Sequence, residues 1–375
     1  MALHPRLKVT TYKAPPAPAG PTGAHPWLAS LDSQVRRGQA VADVLRRMKA
    51  RGISFDVVVA HPSWGEALFV KDVLPRTPLL AYFEFFYSAL GADVGFDPEF
   101  PARADDGERL RMRNIVHLSA LNACDAGFTP THWQHSRLPH EYRSRVAIVH
   151  EGIATDTVRP APDGNFQWGG RHFRSGEPIV TYVARNLEPY RGFHVFMRSL
   201  PALLAKHASL QVLIVGGDQV SYGTAARDRE GWKAQLIDEL SRNGTPIDRE
   251  RVHFLGKLTH GDYLRVLQVS AAHVYLSYPF VLSWSMLEAM AAGCLVVGSD
   301  TAPVKEVLAD RINGRLVNFF DREQLVSVIL DLLNDPQGGL AMREAARATV
   351  VERFDLQRQC LPAGLALIRS MQAGA

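Results

Sequence analysis

The sequence predicts an α/β protein with two domains, each organised around a parallel sheet. Its 375 residues are long enough for two separate hydrophobic cores. Short apolar strands alternate with helical patterns along most of the chain, which is typical of parallel sheets. One stretch, residues 272–300, has the pattern of a complete strand–helix–strand unit. We therefore expect two α/β domains joined in one chain.

The composition narrows the classes of protein and of ligand. A hydrophobic share of 46% and a charged share of 21% are typical of a soluble globular protein, and no apolar run approaches the ~20 residues of a membrane span. The start of the chain has no apolar leader segment, and three widely spaced cysteines (Cys124, Cys294 and Cys360) favour reduced thiols over a zinc site, so we expect a cytoplasmic protein. A net charge of +4 suits an anionic ligand or an acidic membrane surface, but without a basic stripe it argues against nucleic acid.

The first part of the chain, residues 1–165, predicts one α/β domain. Strands are predicted at 7–12, 56–60, 79–83, 127–128 and 146–150, and helices at 27–51, 67–74 and 108–124. Residues 137–145 read as a basic surface segment. The Gly-rich polar stretch at 163–176 predicts a linker to the second domain.

Two polar stretches in this first domain follow buried strands. One is HPSWGE at 61–66, and the other is FEFFY at 83–87. Ligands of open α/β sheets gather at the carboxyl ends of the strands, so His61, Glu66 and Glu84 are candidates for contact with a substrate. A structural role, such as a hydrogen bond within a loop, is the alternative for each of them.

The second part of the chain predicts another α/β domain. Strands are predicted at 179–184, 210–215, 252–255, 273–277, 295–298 and 313–317, and helices at 192–200, 232–242, 263–270, 283–292, 301–308, 325–333, 340–351 and 361–371. Gly216 lies in a Gly-Gly-Asp segment after the second of these strands. That segment would let the backbone approach a ligand, but it lacks the glycine spacing of a dinucleotide-binding fold.

Two arginines flank the turn after the first strand of this second domain. Arg185 and Arg191 lie between a buried strand and a helix start. The arginine fork matches phosphate oxygens, and a helix N-terminus attracts anions, so the pair predicts a diphosphate site. The alternative is a pair of solvated surface arginines.

One carboxylate lies in the uncharged helical stretch at 283–292. Glu288 must find hydrogen-bond donors there, because a bare buried carboxylate costs several kcal/mol. Sugar or ribose hydroxyls would serve, and the free N–H groups at the helix start could meet a phosphate. The alternative is a packed helix in which Glu288 pairs with a structural arginine or a backbone amide.

Several separated motifs of the second part together resemble one known family. SMLEAMAAGCLVVGSD, from Ser285 to Asp300, resembles the second half of the E-x7-E motif of family 4 retaining glycosyltransferases and their AMA-x-G-x-P-V-V-x-(T/S)-D run. ARNLEPYRG resembles the family's G-R-x-x-x-x-K-G pattern, with Ala184 for Gly and Arg191 for Lys, so both charges are kept. NGRLV at 313–317 resembles its N-G-x-L-V turn. The likeness covers residues 149–354 well and the earlier chain weakly.

The resemblance implies the GT-B fold, in which two Rossmann-like domains face each other across a cleft, with the N-terminal domain shortened here. It implies a second domain at 176–355 that binds a nucleotide-sugar, and a final helix at 356–375 that crosses back to the first domain. It also implies a metal-independent retaining transferase without a cofactor, whose co-substrate is a nucleotide-diphosphate-sugar and whose acceptor is a saccharide or a lipid-linked molecule. A role in polysaccharide or glycoconjugate synthesis, peripheral contact with the inner face of a membrane and a protein partner would fit such an enzyme.

The resemblance also assigns roles to the candidate residues. Arg185 and Arg191 would stabilise the leaving diphosphate, Glu288 would hold the ribose, and His61 and Glu84 would position the acceptor or the sugar. The remaining donor contacts would come from a turn that meets the base through its backbone, from the Gly-Gly-Asp segment and from the start of the 283–292 helix: Lys257, Leu258, Gly216, Phe280, Leu282, Ser283 and Trp284.

The sequence departs from the family pattern at three places, of which Phe280 and the start of the chain keep a second hypothesis open. Phe280 stands where the family has the first Glu of its motif, and Phe cannot accept a hydrogen bond. Phe83 stands where the family often has a His. The usual opening strand, Gly-containing turn and helix are not recognisable before Tyr12, which would leave an exposed sheet edge. The alternative function is a nucleotide-sugar-binding protein with little or no catalysis that acts with a partner, and a sugar-nucleotide epimerase is a third, less favoured one.

Overall fold

The computed structural model describes residues 4–16, 25–227 and 230–373, and these divide into two compact units. Unit 1 comprises the described residues of Met1–Leu90, Ala102–His150 and Ala363–Ala375. Unit 2 comprises those of Gly91–Pro101 and Glu151–Pro362.

Unit 1 is built on a four-stranded parallel sheet with the strand order β1-β2-β3-β4. Its strands are β1 (Val58–Ala60), β2 (Leu79–Tyr82), β3 (Ala126–Thr129) and β4 (Val146–Ile148), and its helices are α1 (Leu28–Ala50), α2 (Val70–Val73), α3 (Asp106–Arg113), α4 (Ile115–Ala123) and α5 (His132–Arg137), with 3₁₀ turns at Pro62–Trp64 and His140–Arg145. Leu79, Phe83, Leu121 and Leu138 are almost fully buried in its core. This burial fixes which strand ends carry the polar loops.

Two predicted elements of unit 1 are wrong. Residues 7–12, predicted as a strand, form none within the described segment 4–16, where Leu7 and Val9 are exposed. The single helix predicted at 108–124 is two helices that meet at Asn114. The Asn114 amide accepts from the backbone N–H of Tyr87 at 3.1 Å and donates to its carbonyl at 2.8 Å, which ties the helix junction to the loop after β2.

Unit 2 is built on a six-stranded parallel sheet. The strands are β7 (Ile179–Asn186), β8 (Gln211–Gly217), β9 (Val252–Gly256), β10 (Ala272–Tyr275), β11 (Val296–Ser299) and β12 (Arg315–Val317), after an antiparallel hairpin of β5 (Asn165–Trp168) and β6 (Arg171–Arg174). The helices are α6 (Phe193–Lys206), α7 (Trp232–Arg242), α8 (His260–Gln268), α9 (Trp284–Ala291), α10 (Ala302–Lys305), α11 (Arg322–Asn334) and α12 (Leu340–Phe354), with a 3₁₀ turn at Pro189–Arg191. A π-helical turn at Leu356–Cys360 leads into α13 (Leu361–Ala373), which is assigned to unit 1 from Ala363 onward.

The order of the strands in unit 2 defines where a ligand would bind. The sheet runs β12-β11-β10-β7-β8-β9, so the chain winds in opposite directions from the neighbours β7 and β10. Ligands of doubly wound sheets bind at this reversal, outside the carboxyl ends of the two strands. The loops after β7 and β10 are therefore the first place to look for a site.

The stretch predicted as a linker at 163–176 is the hairpin β5–β6 instead. Gly169 and Gly170 form its turn with φ angles of +56° and +78°, and Phe166 and Phe173 are buried against Ile179 and Leu213 of the sheet. The turn glycines and polar residues suggested a linker, but the two aromatic side chains bury enough apolar surface to fix the hairpin on the sheet.

Residues 91–101 follow β2 in the chain but belong to unit 2. Asp97, 2% exposed, is held by the Tyr278 hydroxyl at 2.6 Å and by His194 Nε2 at 2.9 Å. Asp93 accepts from the Tyr190 hydroxyl at 2.6 Å. Nothing in the sequence pattern predicts this segment's place, because its anchors are far away along the chain.

Within residues 4–16, 25–227 and 230–373, no helix is both long enough and apolar enough to span a membrane.

Candidate functional site

A tight turn after β7 brings Arg191 to the reversal point of the unit 2 sheet. The 3₁₀ turn Pro189–Arg191 ends at Gly192, whose φ of +68° favours glycine. A Cβ on Gly192 would lie 2.3 Å from Cβ of Leu276, so the turn packs directly on the segment after β10. The Tyr182 hydroxyl donates to the Arg191 carbonyl at 2.8 Å and fixes the turn from below.

Arg191 joins the loops that follow β7 and β10. Its Nη1 donates to the Ser277 hydroxyl at 2.8 Å, to the Val281 carbonyl at 2.9 Å and to the Tyr275 hydroxyl at 3.2 Å. The residue is only 9% exposed. Within the described part of the chain no Asp or Glu forms an ion pair with it, so a nearly buried cation has neutral partners only. A buried charge without a counter-charge is costly, which favours an anionic ligand here.

Arg185 and Lys257 add exposed cations at neighbouring strand ends. Arg185 lies near the end of β7, and its side chain has no ion-pair partner among the described residues. Lys257 follows β9, and its Nζ would lie 3.2 Å from a Cβ placed on Gly217 at the end of β8. Gly216 is buried beside that position, and Leu258 is half-buried in the core under the loop. Three cations, Arg185, Arg191 and Lys257, therefore lie at or just after the carboxyl ends of β7 and β9.

Glu188 organises a second loop over this edge, a role that the sequence pattern did not reveal. The side chain is 1% exposed and accepts from the backbone N–H groups of Ser221, Tyr222 and Gly223 at 3.1 to 3.2 Å. Several backbone donors around one carboxylate fix the loop after β8 against the turn that carries Arg191. Residues 221–223 thereby become a fixed wall beside the cation.

Glu288 already has partners within the protein. It accepts from the Tyr263 hydroxyl at 2.9 Å and lies 3.2 Å from Nε2 of His260, and its side chain is 16% exposed. Burial, and then the charge of Glu288, raises the pKa of Tyr263 well above its usual value, so that hydroxyl stays protonated and donates. The expected arginine or amide partner is thus replaced by a tyrosine and an exposed imidazole. Enough of the carboxylate is accessible to meet a ligand hydroxyl.

The start of α9 offers fewer free donors than the sequence predicts. Ser283 is the N-cap: its hydroxyl accepts from the backbone N–H of Ser285, and its own N–H donates to the Tyr275 hydroxyl at 2.8 Å. The expectation of a free N–H is therefore wrong for Ser283, because the tyrosine that contacts Arg191 also takes this donor. Leu282 is buried, and Trp284 is 51% exposed at the first turn of the helix.

Phe280 lies in an aromatic cluster beside Arg191. It is 3% exposed, and its ring centroid lies 5.5 Å from that of Tyr190 and 5.1 Å from that of Tyr222. The Arg191 guanidinium lies 5.7 Å from the Tyr222 ring centroid, within the range of a cation–π contact. Aromatic faces therefore surround the position where the family resemblance implies a carboxylate.

The candidates of unit 1 meet at two adjacent strand ends. His61 follows β1 and Glu84 follows β2, and His61 Nε2 lies 3.6 Å from Glu84 Oε2. The imidazole also stacks at an angle on Tyr82, with ring centroids 5.2 Å apart. Glu66 instead accepts from the Tyr12 hydroxyl at 2.5 Å, which ties the N-terminal segment to the loop. His61 and Glu84 therefore form a pair, and Glu66 has a structural partner.

Two family models together match most of the chain. The model described as "Glycosyl transferase family 4 group" matches residues 2–158, and the model described as "Glycosyl transferases group 1" matches residues 169–349.

Curated relatives agree with the models but are longer than the matching region. The chain is 31% identical over 192 residues to a phosphatidyl-myo-inositol mannosyltransferase of Mycolicibacterium smegmatis. The aligned region covers 48% of this chain and 42% of that relative. It is 26% identical over 242 residues to a D-inositol 3-phosphate glycosyltransferase of Streptomyces avermitilis. That aligned region covers 62% of this chain and 50% of the relative. The chain thus spans about half the length of these relatives.

Solved structures share the fold at low sequence identity. A sucrose-phosphate synthase of Thermosynechococcus elongatus has a TM-score of 0.71 at 20% identity, and the match covers 95% of this chain and 82% of that one. The Anabaena protein HepE in complex with UDP has a TM-score of 0.64 at 17% identity, with coverage of 88% and 82%. These likenesses confirm the α/β fold with two Rossmann-like domains of GT-B glycosyltransferases. With the family 4 model on residues 2–158 and the group 1 model on residues 169–349, in chain order on the same fold, the chain belongs to the glycosyltransferases that these two models describe.

Proposed function

We propose that the protein is a retaining glycosyltransferase that moves a sugar from a nucleotide-diphosphate-sugar to a saccharide or a lipid-linked acceptor. The observation that carries this proposal is Arg191. It is a nearly buried cation without a carboxylate partner at the reversal point of a doubly wound sheet. A diphosphate placed there would supply the missing counter-charge.

The chemistry of sugar transfer gives Arg191 and Arg185 a role in the transition state. When the bond between the sugar and the diphosphate breaks, negative charge grows on the leaving phosphate oxygens. Fixed donors aimed at that position stabilise the charge without reorganisation. Arg191 is held rigid by three acceptors, whereas the exposed Arg185 can close on the ligand. In this proposal the two arginines perform the neutralisation that a divalent cation performs elsewhere, so the enzyme is independent of metal.

Contacts on both sides of the diphosphate complete the proposed donor site. Glu288 retains an accessible edge that can accept from ribose hydroxyls, while Tyr263 holds its other oxygen. The backbone of Lys257 and Leu258, at the end of β9, is the proposed contact for the base. The solved structures of HepE contain UDP, UDP with glucose, and UDP-glucose, which supports a nucleoside diphosphate as the ligand class.

The acceptor side of the proposed reaction belongs to unit 1. His61 and Glu84 lie 3.6 Å apart and partly exposed at adjacent strand ends. Such a pair can orient a hydroxyl of the acceptor, with the imidazole and the carboxylate on either side of the proton. We propose this positioning role for both residues. A place in polysaccharide or glycoconjugate synthesis in the cytoplasm, with contact to the inner face of a membrane, belongs to the same proposal.

The experiment that tests the proposal measures release of nucleoside diphosphate from UDP-, GDP- and ADP-linked glucose and mannose. We expect release from one of these donors, unchanged by EDTA, and reduced about a hundredfold or more in Arg191→Met, which is the loss of a few kcal/mol of transition-state stabilisation. Proton NMR of a product should show the anomeric configuration of the donor. Equal release by the wild type and by Arg191→Met would contradict the proposal.

Phe280 favours a second candidate function, a nucleotide-sugar-binding protein with weak or no catalysis that acts with a partner. An aromatic ring cannot accept a hydrogen bond from a donor sugar, and Phe280 is buried between Tyr190 and Tyr222. Binding of a nucleotide-sugar without transfer or hydrolysis, for the wild type, would support this candidate over the transferase.

A further inference from the structure

A polar cavity of unit 1 has no role in the site described so far. It has a volume of about 210 Å³ and lies between α1, the turn after β1, the loop after β2 and the junction of α3 and α4. Its lining residues are Ser30, Ser33, Gln34, Arg37, Ser63, Trp64, Tyr87, Arg113 and His117. None of these described residues is an acid, so the cavity has a positive character.

The cavity has a rigid floor. Gly65 ends the turn after β1 with a φ of +100°, and a Cβ on it would lie 2.1 Å from the carbonyl oxygen of Gln34 in α1. The Gln34 side chain, 9% exposed, donates to the Ser63 carbonyl at 2.9 Å. The turn and the helix are therefore in direct backbone contact, which holds Ser63 and Trp64 beside the polar face of α1.

The side chain of Arg113 is held in place by Tyr87. Its guanidinium stacks on the Tyr87 ring, 3.7 Å from the centroid, and Nη2 donates to the Tyr87 hydroxyl at 2.8 Å. Asn114 fixes the backbone of Tyr87 from both sides. Because the side chain is already ordered, less conformational entropy is lost when it forms further hydrogen bonds.

Arg37 provides a second cation without a counter-charge. Neither Arg37 nor Arg113 forms an ion pair with an Asp or Glu among the described residues, although the neighbouring Arg36 pairs with Asp32 at 2.8 Å. Two arginine forks and the hydroxyls of the lining serines match the oxygens of a phosphate. The indole of Trp64, 64% exposed at the rim, presents an apolar face of the size of a sugar ring.

We propose that this cavity binds the acceptor through a phosphate group, so that the acceptor is a phosphorylated saccharide or polyol with its phosphate on Arg37 and Arg113 and its ring against Trp64. The identification of the bound molecule as the acceptor rests on the proposed glycosyltransferase function. The phosphate-binding site itself is inferred from the geometry of unit 1 alone.

His117 at the back of the cavity supports a neutral wall behind this phosphate. Burial, and then the charges of His61 and Arg113, lowers the pKa of His117 to about 4. The imidazole is therefore neutral at pH 7, so the charge of the cavity comes from the arginines. The cavity lies next to the His61 and Glu84 pair, because the Ser63 N–H donates to His61 Nδ1 at 3.3 Å and the Trp64 and His61 ring centroids are 5.7 Å apart.

The test is calorimetric titration of the full chain with glucose 6-phosphate and, in a separate arm, with glucose. Sedimentation with vesicles of phosphatidylcholine, with and without 20% phosphatidylglycerol by mole, distinguishes a lipid-borne phosphate from a free one. We expect saturable binding in the glucose 6-phosphate arm or the phosphatidylglycerol arm, and none with glucose or pure phosphatidylcholine. Because a hydrogen bond to a charged group contributes about 1.5 to 3 kcal/mol, Arg37→Gln and Arg113→Gln should each weaken binding about tenfold or more.

Two control variants remove a cation from the same helices outside the cavity. Arg47→Gln in α1 and Arg111→Gln in α3 should leave the affinity within about twofold, since solvent and salt screen exposed charges. Far-UV circular dichroism melts show that each variant is folded. Equal weakening by the control and cavity variants, or no binding in either phosphate arm, would overturn the inference.

The failure of this inference is separable from the failure of the proposed function. Release of nucleoside diphosphate from a sugar donor reports on Arg191 in unit 2, whereas the titration with glucose 6-phosphate reports on Arg37 and Arg113 in unit 1. Donor hydrolysis by a protein whose phosphate binding ignores Arg37 and Arg113 would contradict the cavity alone. Phosphate binding that depends on them, without any donor binding, would contradict the transferase alone.

Discussion

The turn after β1 in unit 1 and the turn after β7 in unit 2 have the same construction but different contents. Each is a 3₁₀ turn with proline first and a left-handed glycine at its end, and in each the glycine packs against a neighbouring backbone or side chain without room for a Cβ. The residue before the glycine is Trp64 in one and Arg191 in the other. Trp64 is 64% exposed, whereas Arg191 is 9% exposed and donates to Tyr275 at the end of β10 and to the loop that follows it.

The difference shows how one type of turn holds two kinds of side chain in different surroundings. In unit 2 the turn lies between two central strands, so the residue before the glycine is enclosed, and only a side chain with several donors can satisfy the loop acceptors around it. In unit 1 the turn follows β1 at the edge of the sheet, where the same position faces solvent. The turn of unit 2 therefore holds a nearly buried cation, Arg191, and the turn of unit 1 holds an exposed indole, Trp64.

The largest expected effect comes from adding a methyl group to either glycine. Gly65→Ala and Gly192→Ala would place a Cβ 2.1 Å from the Gln34 carbonyl oxygen and 2.3 Å from Leu276 Cβ, at φ angles of +100° and +68°. Strain and overpacking together should cost about 2 to 5 kcal/mol of the free energy of unfolding of the unit concerned. Hydrogen exchange of the amides of α1 measures the loss of stability of unit 1 in Gly65→Ala, and exchange of the amides of α6 measures that of unit 2 in Gly192→Ala.

Two glycines with open surroundings provide the controls for that comparison. Gly52 and Gly256 have φ angles of +78° and +65°, and nothing lies within 4 Å of a Cβ built on either. Their alanine variants should lose only the conformational part, about 1 to 2 kcal/mol. Equal losses in the crowded and the open positions would show that the close packing of the two turns contributes nothing.

The next effect concerns the residue before each proline. Glu188→Ala removes a carboxylate that accepts three backbone N–H groups, so we expect a loss of about 2 to 3 kcal/mol and faster exchange of the amides of 221–223. His61→Ala removes a single acceptor 3.3 Å from the Ser63 N–H and should cost at most about 1 kcal/mol. Glu188→Gln, which keeps one acceptor oxygen, should lie between them; a loss as small as that of His61→Ala would refute the ordering role of Glu188.

Acid should destabilise unit 1 through His117. Its pKa of about 4 in the folded protein lies below the 6.5 of an unfolded His, so the unfolded chain binds the proton first. Stability is therefore lost as the pH falls from 6.5 towards 4, by about 2 kcal/mol between pH 7 and 5. Urea unfolding at both pH values should show a smaller loss in His117→Gln than in the wild type. The exposed His172→Gln is the control, and an unchanged loss in His117→Gln would contradict the assignment.

The smallest effect on stability is expected for Trp64, the exposed residue of the turn after β1. Trp64→Ala should change the free energy of unfolding by less than about 0.5 kcal/mol, because the indole is mostly in water. Trp232→Ala, at 5% exposure, should cost about 3 to 5 kcal/mol in the same urea titration. A large loss for Trp64→Ala would mean that the indole is part of the core and cannot serve as a binding face.

Periodicity and turn chemistry predicted most of the regular structure from the sequence. Helix α7 occupies residues 232–242 as expected, and α1 begins and ends within one residue of its prediction, because both have a continuous amphipathic pattern and clear ends. The errors lie where distant contacts decide. Residues 7–12 alternate like a strand but have no strand beside them, and the hairpin at 165–174 depends on the burial of Phe166 and Phe173.

The place of the candidate residues in the fold could be predicted only in part. The spacing of Arg185 and Arg191 around a strand-to-helix turn pointed to an anion site, and the structure places Arg191 at the strand reversal. The contacts of the Arg191 side chain are 84 to 90 residues away in the sequence. The partners of Ser283 and Glu288 are the hydroxyls of Tyr275 in β10 and Tyr263 in α8, and hydrophobic periodicity does not encode such side-chain contacts. Glu188, between a buried strand and Pro189, was a signal in the sequence that our interpretation missed. A carboxylate at a buried strand end must find hydrogen-bond donors, and this would have predicted a loop packed against the turn.

The most direct test of the central claim is thermal stabilisation by UDP, GDP, CDP and ADP, measured for the wild type, Arg191→Met, Glu288→Ala and the exposed control Arg322→Met. A nucleotide at about 100 times its dissociation constant should add about 2.7 kcal/mol to the free energy of unfolding. The account predicts that one nucleotide stabilises the wild type and Arg322→Met, that the effect is lost in Arg191→Met and that it is weakened in Glu288→Ala. Stabilisation of Arg191→Met equal to that of the wild type, or no stabilisation by any of the four nucleotides, would contradict it.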